Sequence, residues 1–213
     1  MTPETTYLKN NNVYLCGKVF RAPEYSHALY GEGFYEFVLE VPRLSRQCDY
    51  IPITVSERLM QGADLSEGAQ VALNGQFRSY NKMENAKSKL MLTVFVRDFT
   101  PPVEGQNPNT VELSGYICKD PIYRTTPFNR EICDLLLAVN RAYNKSDYIP
   151  CIAWGRNARF VRDIEVGQKI SVFGRIQSRE YTKKLSETES EVRVAYELSV
   201  GRIVCGEVDA EED

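Results

Sequence analysis

The amino-acid chain has 213 residues, 43% of them hydrophobic and 26% charged, a composition that fits a soluble globular protein and excludes a disordered or fibrous one. At roughly 100–150 residues per domain, this length accommodates one large domain or two small ones. No segment approaches the roughly 20 apolar residues of a membrane-spanning helix, and the N-terminus lacks the features of a secretory signal. We therefore expect a cytoplasmic protein without membrane contact.

The charge is unevenly distributed along the chain. In total, 26 basic and 29 acidic residues give a net charge of −3, which by itself argues against a nucleic-acid ligand. Residues 109–206, however, carry 15 basic and 12 acidic side chains, whereas residues 207–213 carry five acids and no base. The net charge thus conceals a mildly basic second half and an acidic tail.

The residues that usually carry enzyme chemistry are scarce. His27 is the single histidine, and the six cysteines are scattered without close pairing. These numbers disfavour a Cys/His zinc site and histidine-based catalysis, and no carboxylate cluster suited to a metal ion stands out. We expect no cofactor, no metal and no enzymatic activity, and we interpret the cysteines as packing residues.

The first half of the chain has the pattern of a β-rich unit. Residues 13–17 and 49–56 are expected to be strands, a short helix is expected at 57–65, and a further strand is expected around 76–82. Arg21, Tyr25, Tyr30 and Tyr35 are expected in loops, from which they could add contacts.

A proline-rich segment follows this unit. Residues 100–108 contain three prolines and one glycine, so they cannot comfortably continue a strand or a helix. We expect a linker at 103–108 that separates a domain at 1–102 from a second domain at 109–206, with an acidic tail at 207–213.

The second half repeats the β-rich pattern. Its predicted strands occupy residues 111–115, 132–139, 147–155, 169–181 and 192–204, and its one predicted helix runs from Arg156 to Ile164. Five strands with a short helix between the third and fourth are typical of an OB-fold barrel. A small β-sandwich with a similar number of strands is the structural alternative.

The two halves are copies of one unit. The tetrapeptide at 49–52, Asp-Tyr-Ile-Pro, recurs at 147–150, which is 98 positions later, and further matches occur in the same order and register. The sequence therefore predicts an all-β protein made of two tandem OB-folds, each a five-stranded barrel with one short helix.

Strand alternation in the second unit places large aromatic and basic side chains on one outward face. Tyr148 and Trp154 alternate with Ile149, Cys151 and Ala153, so the two aromatic rings share the side opposite the predicted interior. Aromatic rings that stack on bases and cations that contact phosphates are what sequence-tolerant binding of single strands needs. A subunit interface remains the alternative, since it is enriched in the same residue types. The candidate binding residues of this unit are Tyr143, Tyr148, Trp154, Tyr181, Arg175, Arg179, Arg141, Lys145, Arg124, Arg156 and Lys119.

The first unit is poorer on the corresponding face. Ser56 and Ser45 stand where the second unit has Trp154 and Tyr143. The candidate binding residues here are Tyr50, Tyr80 and Arg78, so the first unit is either an auxiliary binding site or an assembly scaffold.

The second unit resembles the bacterial-type single-stranded DNA-binding protein family. The resemblance is carried by NTVELSG at 109–115, KDP at 119–121, LAVNR at 137–141, YIPCIAWG at 148–155 and GRIQSREY at 174–181. The family's stacking aromatics fall on Tyr143, Tyr148, Trp154 and Tyr181, and residues 11–99 look like a diverged copy of the same domain.

This resemblance implies an OB-fold and the binding of single-stranded DNA during replication, recombination or repair, with RNA as a second candidate ligand. It also implies four OB domains per assembly, which a homodimer of this tandem chain would supply, and a nucleoid-associated location. The family commonly ends in a long flexible region with an acidic, hydrophobic tip. Here the tail is short and lacks the apolar end, so recruitment of replication enzymes through it is doubtful.

A second hypothesis is a tandem OB protein-interaction module of a primosome or a mobile element, with weak or no DNA binding. The low net charge and the depleted first unit favour it.

Overall fold

The computed structural model describes residues 9–84, 87–184 and 190–206. Five strands and one short helix form the first repeat: β1 (Asn11–Leu29), β2 (Glu32–Pro42), β3 (Cys48–Ser56), α1 (Glu57–Met60), β4 (Gln70–Glu84) and β5 (Lys87–Thr100). Six strands and one short helix form the second repeat: β6 (Asn109–Ile117), β7 (Ile122–Thr125), β8 (Glu131–Arg141), β9 (Lys145–Trp154), α2 (Arg156–Val161), β10 (Lys169–Lys184) and β11 (Ser190–Cys205).

Each repeat closes into a five-stranded barrel. The strands are hydrogen-bonded in the order β2-β3-β5-β4-β1-β6-β10-β11-β9-β8-β7, and the additional pairings β2–β1 and β6–β8 close the two barrels. The helices lie between the third and fourth barrel strands, as the OB layout requires. The predicted fold of two tandem barrels is confirmed, and the short strand β7 is an addition that the sequence did not indicate.

The interior of each barrel is filled by the side chains that strand alternation directs inward. In the first repeat Leu15, Phe37 and Phe77 are fully buried, and in the second repeat Leu113 and Ile149 are. Burying such side chains stabilises a fold by about 1.5–3 kcal/mol each. The period-two pattern of the sequence therefore corresponds to two filled cores.

Two elements differ in length from the predictions. Strand β1 continues for 19 residues, through Pro23, because shifts in its register with β2 let the strand bend around the proline. Arg21, Tyr25 and Tyr35 therefore lie on strands, and the prediction that they lie in loops was wrong.

Both helices are shorter than predicted, with four residues in α1 and six in α2. Within the part of the chain that the structure describes, no helix is long and apolar enough to cross a membrane.

The two barrels are joined by antiparallel pairing of β1 with β6. Val13 lies opposite Val111, its own counterpart in the repeat, and Asn11 and Leu15 lie opposite Leu113 and Asn109. When a residue pairs with its own equivalent across antiparallel strands, an approximate two-fold axis passes through that pair. The repeats are therefore related by an approximate two-fold rotation, and each contact across the joint has the potential to occur twice.

Candidate nucleic-acid interface

Strand β9 carries two large aromatic rings to the surface. Tyr148 is 47% exposed and Trp154 is 37% exposed, whereas the alternating residues Ile149, Cys151 and Ala153 are buried at 3% or less. Ile152, on the same side as the rings, is only 5% exposed. The two exposed rings are therefore separated along β9 by the half-buried Pro150 and the buried Ile152.

Strand β10 adds basic and aromatic side chains to the same side of the sheet. Strand β11 lies between β9 and β10, and Ser199 pairs with both Ile152 and Arg175. Paired residues point to one face, so Arg175 and the residues that alternate with it lie on the side of Tyr148 and Trp154. The last of these, Tyr181, is 38% exposed and lies opposite Arg193.

Tyr143 lies in the turn between β8 and β9. Both Tyr143 and Asn144 adopt positive φ angles, 61° and 54°, and the tyrosine is 93% exposed. Lys145, at the start of β9, is exposed beside it. The ring is therefore open to a ligand, and among the described residues no hydrogen bond or ring contact holds it.

A carboxylate lies among the cations of β10 and β11. Glu197 is nearly buried, accepts a hydrogen bond of 2.6 Å from Gln177 Nε2 and lies 3.8 Å from Arg179 Nε. Arg179 itself is more than half exposed. Since a partly exposed ion pair at this distance is weak, Arg179 keeps the freedom to meet a phosphate.

Arg175 is engaged in a contact across the joint. Its Nη1 lies 3.2 Å from Oδ2 of Asp49, which is fully buried in the first repeat. Asp49 also accepts hydrogen bonds from Arg43 Nε at 2.7 Å and from the backbone N–H of Ser178 at 2.7 Å. Burial and the nearby charge of Arg43 lower the pKa of Arg175 below its ordinary value. Arg175 thus ties the two repeats together in addition to its predicted role as a phosphate contact.

The two-fold rotation creates a second network of the same kind. Asp147, also fully buried, accepts hydrogen bonds from the backbone N–H of Ser79 at 2.8 Å and from Arg141 Nη1 at 3.2 Å, both through Oδ1. Its Oδ2 has no hydrogen-bond partner among the described residues. In each network the serine that donates its N–H to the aspartate also accepts a hydrogen bond from the residue after that aspartate. Tyr148 N–H donates to Ser79 Oγ at 2.7 Å, and Tyr50 N–H donates to Ser178 Oγ at 3.3 Å.

Arg78, predicted as a phosphate contact of the first repeat, is mostly buried. Its guanidinium lies 4.0 Å from the centre of the Phe95 ring, and its Nη2 donates a hydrogen bond of 2.7 Å to Gln76 Oε1. Burial, with the nearby charge of Arg141, lowers the pKa of Arg78 to about 10. The guanidinium of Arg78 therefore packs against Phe95 and Gln76 instead of extending into solvent.

The two predicted tyrosines of the first repeat lie beside carboxylates. The hydroxyl of Tyr50 donates to Glu40 Oε1 at 3.2 Å, and the charge of Glu40 raises the pKa of Tyr50. Burial raises the pKa of Tyr80, and the charge of Glu36 adds to this effect. Both rings are partly exposed, but each has a carboxylate nearby that would repel a phosphate group.

The remaining predicted cations are spread around the second barrel. Arg124 on β7 is held by Asp134 at 2.8 Å, whereas Arg156 at the start of α2 and Lys119 between β6 and β7 are exposed. The acidic tail predicted at 207–213 lies outside the described residues.

Sequence reasoning missed two aromatic residues next to the predicted site. Phe20 packs edge-on against Tyr50, with ring centres 4.6 Å apart, and Phe95 lies beneath Arg78. The alternation of β1 could have revealed Phe20, because Val13, Leu15 and Val19 face the interior and Phe20 follows on the other side.

In the described part of the chain these residues form no metal-binding group, and they do not line the cavity found at the joint. Within residues 9–84, 87–184 and 190–206, no group of three or more His, Cys, Asp or Glu side chains is arranged to hold a metal ion. A cavity of about 550 Å³ lies over the β1–β6 joint and is lined by Asn12, Tyr14, Asn74 and Glu112, not by the predicted site residues. The exposed rings of Tyr148 and Trp154 thus lie outside this cavity.

Residues 108–203 match the sequence model of the Single-strand binding protein family. Single-stranded DNA-binding protein 1 of Staphylococcus aureus is 39% identical over 80 residues, which cover 34% of this chain and 48% of that protein. Single-stranded DNA-binding protein A of Bacillus subtilis is 36% identical over 80 residues, covering 34% of this chain and 46% of that protein. The chain spans about half the length of the curated relatives it matches.

Among solved structures, the wild-type single-stranded DNA binding protein from Thermus aquaticus aligns with a TM-score of 0.72 and 20% identity, over 95% of this chain and 96% of that one. This likeness covers both repeats and supports the tandem barrel fold. The sequence matches lie in the second repeat, which is therefore similar to the Single-strand binding protein family, whereas the likeness over both repeats concerns the fold.

Proposed function

We propose that this protein binds single-stranded DNA, without sequence preference, on the outer face of its second repeat. The observation that carries the proposal is the exposure of Tyr148 and Trp154 while the residues alternating with them are buried. An aromatic ring left exposed on a sheet forgoes the free energy that its burial in a core would give. Every base offers a π-face that can stack on such a ring. Tyr143 and Tyr181 extend the platform, and Lys145 and Arg179 supply charge for phosphates.

The open shape of this face suits a polymer. A strand that runs along a sheet needs no enclosed pocket, and stacking tolerates any base. Because Arg141 and Arg175 form ion pairs with buried carboxylates, the more exposed cations would make most of the salt-sensitive contacts with phosphates. RNA is the second candidate ligand, since stacking does not distinguish the sugars.

The match of residues 108–203 to the Single-strand binding protein family model supports this proposal, and so do the names of the relatives. We further propose a non-enzymatic role in replication, recombination or repair at the nucleoid. In this proposal residues 1–102 and 109–206 are the two domains, and a homodimer presents four of them.

A protein-interaction module is the second candidate function. It is favoured by Glu40 and Glu36, which place negative charge beside Tyr50 and Tyr80 on the first repeat. Under this alternative the chain would bind oligonucleotides weakly or not at all.

The test is a titration with fluorescently labelled oligothymidine at two salt concentrations. We expect tight binding that weakens with salt, with a log–log slope of about −0.7 per phosphate neutralised. Tyr148→Ala and Trp154→Ala should each weaken binding by about 1–3 kcal/mol, the magnitude of base–aromatic stacking.

Phe160→Ala is the matched control, because Phe160 is a 54% exposed aromatic residue of the same repeat, on α2, that is not among the predicted binding residues. It should bind like the parent protein. Parent-like binding by both the Tyr148 and Trp154 variants would show that the face is wrong, and salt-insensitive weak binding of the parent would favour the interaction module.

A further inference from the structure

The first half of β9 has a paired strand on one side only. Strand β8 pairs with β9 from Lys145 to Trp154, whereas β11 pairs with it only at residues 151–153. Among the described strands, none pairs with residues 145–150 on the side of β11. The backbone N–H groups that point to this side need other partners, because a buried N–H without an acceptor costs free energy.

The first repeat supplies such a partner through Ser79 on β4. The N–H of Ser79 donates to Oδ1 of Asp147 at 2.8 Å, and its Oγ accepts a hydrogen bond of 2.7 Å from the N–H of Tyr148. Ser79 is 8% exposed and Asp147 is fully buried, so both hydrogen bonds lie in a region of low dielectric, where they are strong. Two hydrogen bonds to consecutive residues fix the position and the direction of β9 at this point.

Tyr148 therefore takes its orientation from a contact between the two repeats. The side chain of a strand residue stands roughly perpendicular to the sheet, in a direction that the backbone sets, so a shift of the backbone at Tyr148 moves its half-exposed ring. Ser79 bonds to the backbone of Tyr148 and not to the ring. A change at Ser79 thus alters where the ring lies and leaves its chemistry unchanged.

Trp154, the other exposed ring of β9, is supported within the second repeat. At this end β9 is paired with both β8 and β11, and the next residue, Gly155, donates its N–H to the carbonyl oxygen of Glu131 at 2.9 Å. The two rings of the proposed face therefore differ in their support, since Trp154 is held by its own barrel and Tyr148 in part by the other one.

We propose that Ser79 of the first repeat is a positioning residue for Tyr148 of the second repeat. Ser79 holds the first half of β9, and with it the stacking ring, in the orientation that a base meets, and it acts without touching the ligand. The inference rests on the proposed function, because the position of the ring affects binding only if bases stack on it. The first repeat then contributes to the affinity of the second repeat through the joint.

A double-mutant cycle of Ser79→Ala and Tyr148→Ala in the full chain tests this role. The ligand is a labelled oligothymidine of about 8 nucleotides, within the roughly 4–16 nucleotides that one OB-fold binds. Because the apparent affinity falls with the fraction of molecules that hold the ring in place, Ser79→Ala should weaken binding by about threefold to fivefold. In the Tyr148→Ala background, which has no ring to position, the same change should leave the affinity unaltered.

The fluorescence of Trp154 separates positioning from general damage to the barrel. Since Trp154 is supported within the second repeat, its quenching at saturation should be equal in Ser79→Ala and in the parent protein. A smaller quenching in the variant would show that the whole face is disturbed and would contradict a specific effect on Tyr148.

Ser178→Ala is the matched control, because Ser178 is the equivalent serine of the second repeat. Its Oγ accepts a hydrogen bond from Tyr50 N–H and donates one to Asp49 Oδ1, both at 3.3 Å, so this variant also removes contacts across the joint. It should bind the short oligothymidine like the parent protein.

Three results would overturn the positioning role while leaving the proposed function intact. These are parent-like binding by Ser79→Ala, an equal loss in Ser178→Ala, and a loss of the same size whether or not the Tyr148 ring is present. A parent protein that does not bind oligothymidine would overturn the proposed function, and the positioning role with it.

Discussion

The two repeats share their internal contacts and differ on their surfaces. Asn11 and Asn109 both bridge to β-strand backbone through their side-chain amides, to Phe77 and Ile176 respectively, with distances of 2.8 to 2.9 Å. Gly17 and Gly115 both permit the close approach of a neighbouring strand. These positions hold the barrel closed, so each copy needs them equally.

The outward positions show the opposite trend. Where the second repeat has Trp154, the first has Ser56, and where the second has Ala138 beside Tyr148, the first has Glu40 beside Tyr50. Outward side chains are not constrained by barrel packing, so they can diverge without loss of the fold. The comparison supports the proposal that binding is concentrated in the second copy, whereas both copies contribute to the joint.

The largest expected effect comes from the buried carboxylates at the joint. Asp49→Asn should lower the free energy of unfolding by about 3 kcal/mol, the lower end for a broken buried ion pair, because it leaves the partly exposed Arg43 and Arg175 without their buried charge partner. Asp147→Asn should cost less, since only Oδ1 of Asp147 is hydrogen-bonded within the described residues. Urea denaturation measures both. An Asp147 variant that is the less stable of the two would contradict the difference between the networks.

Substitution of Gly17 and Gly115 should show that both barrels depend on the same close approach of two strands. A Cβ on Gly17 would lie 2.2 Å from the Glu40 carbonyl oxygen, and one on Gly115 would lie 2.5 Å from that of Ala138. Each change to alanine should destabilise the protein by about 1–3 kcal/mol through overpacking. Gly62→Ala, with open space around it, is the control for these melting curves. Tolerance of alanine at either position would mean that the strands do not approach as described.

Tyr148 of the second repeat and Tyr50 of the first repeat should differ in their contribution to oligonucleotide binding. With a short oligothymidine, Tyr148→Ala should weaken binding by about 1–3 kcal/mol. Tyr50→Ala should have little effect under the same conditions, because the short ligand occupies the second repeat. Fluorescence anisotropy provides both values, and equal losses would indicate that the two faces bind equivalently.

The smallest effect is expected from Glu40. Glu40→Ala gives the first repeat the residue that the second has at 138, removes a negative charge beside Tyr50 and should strengthen binding of a long oligothymidine by up to about 1 kcal/mol, the upper range for an exposed charge pair. Glu57→Ala, an exposed carboxylate on α1, controls for the change in net charge. Weaker binding by the Glu40 variant would show that its carboxylate supports the site.

The sequence predicted the barrels well because their signals are local. Alternation placed Tyr148 and Trp154 outside and Ile149 inside, and the repeat offset predicted two copies. The joint was not predictable in the same way, since Arg175 and Asp49 are 126 positions apart and no local pattern links them. Phe20 was missed because β1 was expected to end near Gly17, before the bulges that carry the strand past Pro23.

Trp154 offers the most direct measurement, because it is the single tryptophan of the chain and its emission reports on one place only. During titration with oligothymidine, its fluorescence should be quenched and should level off when the protein is saturated, as a base stacks on the indole ring. Emission that stays unchanged while anisotropy shows saturation would contradict binding on the outer face of the second repeat.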